Sequence, residues 1–212
     1  MAAPSEWQSP EHALAYLRRA DTIPHRTDGE ETLLAELPVN CRRVLDLGSG
    51  DGRLLALALL ARPGAKGVAV DFSPPMLERL AARFGADPRV TIVPHDLSLP
   101  LPPALDGFDA VVSAFAIHHV DHPRKRSLYA EVFSRLTPGG VFANLEHVSS
   151  PTESLHRRFY EALGLTAADE DASNQLLDVE TQLGWLRDLG FEDVDCYWKW
   201  RELALLIGRR PA

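Results

Sequence analysis

Residues 44–53 read VLDLGSGDGR, and this stretch decides the fold. The segment before Gly48 is a short, mostly apolar run of the kind that forms a buried strand. Gly48, Gly50 and Gly52 then break it in a sharp turn, and RLLALALLAR (53–62) continues at helical spacing to Pro63 and Gly64. A strand that turns through alternating glycines into a helix predicts the first unit of a parallel α/β sheet.

Outward from there the alternation repeats. GVAVDFS (67–73) reads as a second strand. The helix SPPMLERLAARFG (73–85) follows, with Ser73 as its N-cap and proline just inside. RVTIVPHDL (89–97) is the third strand, residues 106–120 contain a fourth, and GVFANLEHV (140–148) is a fifth after the turn TPGG. Helices are expected within 122–140, at 152–163 and at 178–191. EDVDCYWKW (192–200) and RELALLIGR (201–209) are strands with almost nothing between them. A parallel crossover needs roughly a dozen residues, so these two must form an antiparallel hairpin. The expected architecture is a three-layer αβα sandwich: a seven-stranded, mostly parallel sheet whose last strand is antiparallel. It forms one domain over 1–212, with a helical cap at 1–40 (helices at 10–20 and 28–37), a core at 41–148, a lid segment at 149–177 and a closing helix and hairpin at 178–212.

Composition narrows the classes. The chain has 212 residues, 45% hydrophobic and 25% charged, which excludes disordered and collagen-like chains. Its net charge of −8 repels phosphate backbones and counts against a nucleic-acid partner. Cys41 and Cys196 are the only cysteines, which excludes a disulfide scaffold and fits a reducing compartment. The longest apolar run, LLALALLA at 54–61, is far short of the roughly 20 residues of a membrane span, and the N-terminus has no signal-peptide core. A cytoplasmic protein, monomer or homodimer, is expected.

In such sheets ligands bind beyond the carboxyl ends of the strands. The glycine loop fits neither common phosphate cradle. A dinucleotide loop needs glycine where Arg53 stands, and the P-loop pattern is absent. Asp46 and Asp51 would repel a pyrophosphate but suit a ligand carrying a cation. Asp71 ends the second strand 19 residues after Gly52, where a carboxylate can accept from ribose hydroxyls. Asp96 ends the third and can accept from an adenine amino group, with Phe72, Met76 and Leu97 lining the ring. Each aspartate alone is equally readable as a turn or helix cap; three at neighbouring strand ends are more informative.

These motifs together resemble the class I S-adenosylmethionine (SAM)-dependent methyltransferases. VLDLGSGDGR is similar to their glycine motif, AVDFSPPML and HDL to their second and third motifs, and FDAVVSAFAIHH and LTPGGVF to the fourth strand and the turn before the fifth. The resemblance covers roughly residues 40–208. It implies SAM as cofactor, with S-adenosylhomocysteine as product. Gly48, Gly50 and Gly52 would pass under the methionine and ribose parts, Asp71 would hold the ribose, and Asp96 and Leu97 would face adenine. Ser113 or Ala114 would border the sulfonium. Arg26 would pair with the methionine carboxylate, a solvent-facing arginine being the bland alternative.

On the acceptor side, candidates for a general base or an orienting group are Glu146 and His147 after the fifth strand, and His118 and His119 after the fourth. The two adjacent histidines point differently, so one at most faces a pocket. Structural histidines bonded to backbone are the alternative. No HxH spacing occurs, and no metal is expected. A composite lid would bring Tyr16, His25, Phe159, Tyr160, Trp198 and Trp200 against the acceptor. A small organic molecule methylated on oxygen or nitrogen is the leading substrate class. The segment TIPHR (22–26) resembles the cap of the wobble-uridine tRNA methyltransferase and carboxy-S-adenosylmethionine synthase group. That, with basic doublets such as Arg42–Arg43, Arg157–Arg158 and Arg209–Arg210, keeps an RNA-modifying enzyme open. A SAM-binding protein without methyl transfer is the third class.

Overall fold

The computed structural model describes residues 22–166 and 169–212, with residues 9, 11 and 18. Most of the helix expected at 10–20, Tyr16 included, lies outside the described residues. The described elements run α1 (Arg26–Glu36), β1 (Arg43–Leu47), α2 (Arg53–Ala61), β2 (Lys66–Asp71), α3 (Pro74–Phe84), β3 (Val90–Pro94), β4 (Phe108–Ala114), a 3-10 turn at Ile117–His119, α4 (His122–Arg135), β5 (Leu136–His147), α5 (Glu153–Ala162), α6 (Val179–Asp188), β6 (Glu192–Trp200) and β7 (Leu203–Arg209).

The seven strands form one sheet in the order β3-β2-β1-β4-β5-β7-β6. Pairing is parallel from β3 through β5, and β7 runs antiparallel to both β5 and β6. The αβα sandwich with a reversed last strand is therefore what the chain adopts. Chain order reverses between β1 and β4, so the β1 end is the switch point where ligands bind.

Side chains of β1 alternate between two cores. Val44 joins Leu33, Leu55, Leu80 and Phe159 on one face, and Leu45 and Leu47 join Leu128, Phe142 and Leu186 on the other. Because both faces are covered, the strands read as continuous apolar runs. Caps fix the later helices. Asp121, Thr152 and Asp178 accept from the backbone N–H groups of Arg124, Leu155 and Thr181. Ser73 stands at the N-cap of α3 without a side-chain cap bond.

Among the boundaries that differ from expectation are the starts of α1 and β5. Helix α1 begins at Arg26, two residues early, on His25 held at φ 61°. Strand β5 begins at Leu136 rather than 140, because Leu136 pairs with Phe108 across a register shift that absorbs the expected TPGG turn into the strand.

Candidate functional site

A cavity of about 850 Å3 opens at the switch point. The glycine loop forms its floor. Gly48 has φ 66° and Gly50 φ 57°, a region that costs other residues about 1–2 kcal/mol. A Cβ at Gly48 would collide with that of Ala116, so glycine lets the β1 and β4 exits approach. A Cβ at Gly50 would meet nothing within 4 Å, so a ligand can lie on bare backbone there. Gly52 lies off the cavity wall, packed towards Phe84 and Leu80 at the start of α2.

Three strand ends bring aspartates to this cavity. Asp46, on β1, is 1% exposed yet lines it, and no described residue hydrogen-bonds either carboxylate oxygen. Burial pushes its carboxyl up to about 7, opposed by the neighbouring Ser49 hydroxyl and Leu55 backbone and reinforced by the Asp71 charge. Asp71 is held by its backbone neighbours: Gly50 N–H donates to Oδ2 at 2.8 Å and Ser73 N–H to Oδ1 at 2.9 Å. Burial raises its pKa, opposed by these bonds. Asp96 accepts from Ser98 N–H at 2.8 Å beside buried Leu97, whose carbonyl is gripped by Arg124 Nε at 2.9 Å. Phe72 and Met76 complete this end of the wall. Asp51 is engaged at the rim by Arg83 at 2.6 Å.

Arg26 is buried, 8% exposed, and lines the cavity, which removes the solvent-facing alternative. Its Nε donates to Glu30 at 2.8 Å, and Arg53 donates to the same carboxylate at 2.8 Å. Burial disfavours the Glu30 charge, but the two arginines outweigh it and hold the carboxyl below its usual range. Glu30 was not among the sequence candidates; its only signal is four-residue helical spacing from Arg26.

On the acceptor side the geometry corrects the sequence reading. Ser113 is fully buried, with Oγ donating to the Leu47 carbonyl at 2.8 Å, and Ala114 is the wall residue. Among the described residues, His119 alone of the four acid–base candidates lines the cavity. Glu146 is fully buried behind it, accepting from His118 Nδ1 at 2.7 Å, from Asn144 at 3.3 Å and from the backbone of His147 at 3.0 Å. Burial opposes its charge, but His118, Lys125 and Asn144 prevail and keep its pKa low. His147 turns to fully buried Glu202 at 3.0 Å, which His156 also meets at 3.0 Å. Strand alternation and this charge pairing explain why neither Glu146 nor His147 faces the cavity. Burial, then neighbouring His118, pushes His119 down to about 3, so its ring is neutral at physiological pH.

Among the described residues, the expected lid side chains are not on the cavity wall either. Phe159 and Tyr160 are core side chains of α5, and Trp198 and Trp200 pack beside them on the α1 face. His25 stacks on Trp200 at 4.9 Å and bonds Asp28 at 2.9 Å. The wall is closed instead by Ser173 and Gln175 of the segment after α5. Among the described residues no His, Cys, Asp or Glu cluster suits a metal ion, and no helix is long and apolar enough to cross a membrane.

Comparisons with known proteins agree with this architecture. Residues 44–140 match a methyltransferase-domain family model. A demethylmenaquinone methyltransferase of Clavibacter sepedonicus is 36% identical over 180 residues, covering 77% of this chain and 71% of that one. An O-methyltransferase family protein of Burkholderia thailandensis superposes with a TM-score of 0.75 at 21% identity, over 98% of this chain and 62% of its own. Human N-acetylserotonin methyltransferase, solved in complex with SAM, gives 0.69 at 16% identity, over 99% of this chain and 61% of its own. The chain thus spans less than two thirds of those two solved chains. Fold and site together define a Rossmann-like methyltransferase. The chain belongs to the class I SAM-dependent methyltransferase family.

Proposed function

We propose that this enzyme transfers the methyl group of SAM to an oxygen or nitrogen atom of a small organic acceptor. The observation that carries the reading is Asp46, a buried carboxylate at the edge of the glycine loop with no cation beside it among the described residues. A buried charge without a partner is costly unless a cation meets it, and SAM brings an ammonium and a sulfonium. The other residues fit the same ligand. Asp71 keeps lone pairs for the ribose hydroxyls beyond its two backbone bonds. Asp96, Leu97, Phe72 and Met76 suit adenine, and Arg26 suits the methionine carboxylate. When bound, SAM supplies an electrophilic methyl carbon. The chain's own part is to hold the acceptor about 3 Å from that carbon and exclude water.

A small acceptor is supported by the relative named for demethylmenaquinone and by the state of several of the basic residues. Lys125 is fully buried, Arg124 pairs with Glu131 at 2.6 Å, Arg209 pairs with Glu36 at 2.7 Å, and Arg43 and Arg210 lie over Phe108 and Phe133. These engaged cations are not available to line a phosphate track.

Calorimetry with SAM tests the reading. Wild-type protein is expected to bind, and Asp71→Ala to weaken binding roughly ten- to hundredfold, since charged hydrogen bonds are each worth about 1.5–3 kcal/mol. No binding by the wild type overturns the proposal, and unchanged affinity in Asp71→Ala removes the ribose role.

A further inference from the structure

Residues 95–107 carry the chain from β3 to β4 without a helix or strand. Irregular backbone packed on a protein needs hydrogen-bond partners from elsewhere. Helix α4 supplies them through Arg124 and Glu131, seven residues and about two turns apart, hence on one face. Arg124 Nε donates to the Leu97 carbonyl at 2.9 Å, and Nη2 to the Leu99 carbonyl at 2.7 Å. The same guanidinium meets Glu131 from Nη1 at 2.6 Å and from Nη2 at 3.0 Å. Glu131 Oε2 in turn accepts from Leu101 N–H at 2.8 Å. The Arg124 side chain is only 10% exposed and that of Glu131 22%, so salt screens this pair less than one in open solvent.

The turn held in this way carries Asp96 to the cavity. The Asp96 carbonyl accepts from Leu99 N–H at 3.0 Å, and its Oδ1 from Ser98 N–H at 2.8 Å. Asp96, Leu97 and Ser98 line the cavity, whereas Arg124 and Glu131 do not. A guanidinium that grips the carbonyls on both sides of Ser98 fixes the peptide planes between them, and with them the direction of the Asp96 carboxylate. Lysine could not replace it, because one ammonium cannot span two carbonyls and a carboxylate in a planar fork.

We propose that Arg124 and Glu131 are positioning residues that lock the 96–101 turn and so set the base specificity of the cofactor subsite, favouring a purine with a 6-amino group over one with a 6-oxo group. The inference rests on the SAM reading for its ligand. A carboxylate only accepts hydrogen bonds. Held in place, Asp96 bonds an amino group and turns its lone pairs against a carbonyl oxygen. Released, the turn lets the carboxylate swing away, and the distinction between the two bases fades.

The test is calorimetry of the full-length protein with S-adenosylhomocysteine and with S-inosylhomocysteine, which carries the 6-oxo base. The wild type is expected to prefer the adenosyl compound roughly ten- to hundredfold, the worth of one charged hydrogen bond. Arg124→Met should cut that preference about tenfold, chiefly by weakening the adenosyl compound, and Arg124→Lys should not restore it. Arg126→Met, on the same helix but facing Asp188 and Trp185, should leave it unchanged. A wild type without preference, or a preference insensitive to Arg124→Met, overturns the inference. If Arg124→Met fails to fold, Glu131→Gln carries the same reading, a lowered preference supporting the clamp and an unchanged one overturning it. Hydrogen exchange of the same samples keeps the two ideas apart. Loss of the clamp should speed exchange of the Leu99 and Leu101 amides about tenfold and spare those of β1. A wild type that binds neither compound refutes the SAM reading; faster exchange then leaves the clamp standing, and unchanged exchange overturns it as well.

Discussion

Glu146→Ala is expected to destabilise the protein by about 3–5 kcal/mol at pH 7, the cost of removing one partner from a buried charge cluster. The reason is what remains. Lys125, with no exposure, keeps a hydrogen bond to the Gln175 carbonyl but loses its nearby countercharge, and His118 loses its 2.7 Å bond. For a chain of 212 residues this corresponds to a fall in Tm of roughly 10 °C. The sign of the pH dependence follows from its lowered folded pKa. The stabilisation is present above the unfolded carboxylate range and is lost as pH falls through the folded value. The gap between wild type and variant should therefore close in acid. Thermal unfolding at pH 7 and pH 3.5 checks both points. An unchanged Tm with abolished turnover would restore Glu146 as a catalytic base and contradict its placement behind His118.

Asp46→Asn should move stability and binding in opposite directions. Asp46 has a folded pKa near 7, raised by burial, so the folded protein holds a proton that the unfolded chain has shed. Its contribution is thus lost as pH rises through that range, and above pH 7 the apo protein carries a buried anion with no countercharge beside it among the described residues. The neutral asparagine removes that cost, less the cost of an unsatisfied amide, so the variant should be more stable by roughly 1–3 kcal/mol at pH 8 and show no advantage below pH 4. SAM affinity should fall ten- to hundredfold, because the cation loses its counter-charge. Stability surrendered at one residue for ligand recognition is the pattern of a functional site. Equal stability at pH 8 together with equal affinity would show that Asp46 has no such role.

Much of the cofactor half was legible in the sequence because its chemistry is local. A strand, a glycine turn and a following aspartate lie within a few residues of one another, so Gly48, Gly50, Asp46, Asp71, Phe72 and Met76 could be placed without knowing the sheet order. The acceptor half was not legible because its contacts are long-range. Ser173 meets His119 across 54 positions and Lys125 meets Gln175 across 50, with no periodic signal linking them. Lys125, flanked by arginines, reads as a solvated cation, yet it is the buried anchor of the closing turn. Glu146 and His147 stood at the right strand end, but a strand end does not say which polar side chain faces the cavity and which finds a partner within the fold. Trp198 and Trp200 share a face as their spacing implies, but that face packs on α1, where a Cβ at Gly29 would sit 3.0 Å from the Trp198 ring.

Asp46 is the proposed seat for the cation of SAM, and the proton it holds makes this measurable. SAM titrated calorimetrically at pH 6, in buffers of different ionisation enthalpy, should release roughly one proton per molecule bound, as the cation drives Asp46 to ionise. Asp46→Asn should bind more weakly and release none. Binding by the wild type without proton release at pH 6 would contradict the central claim.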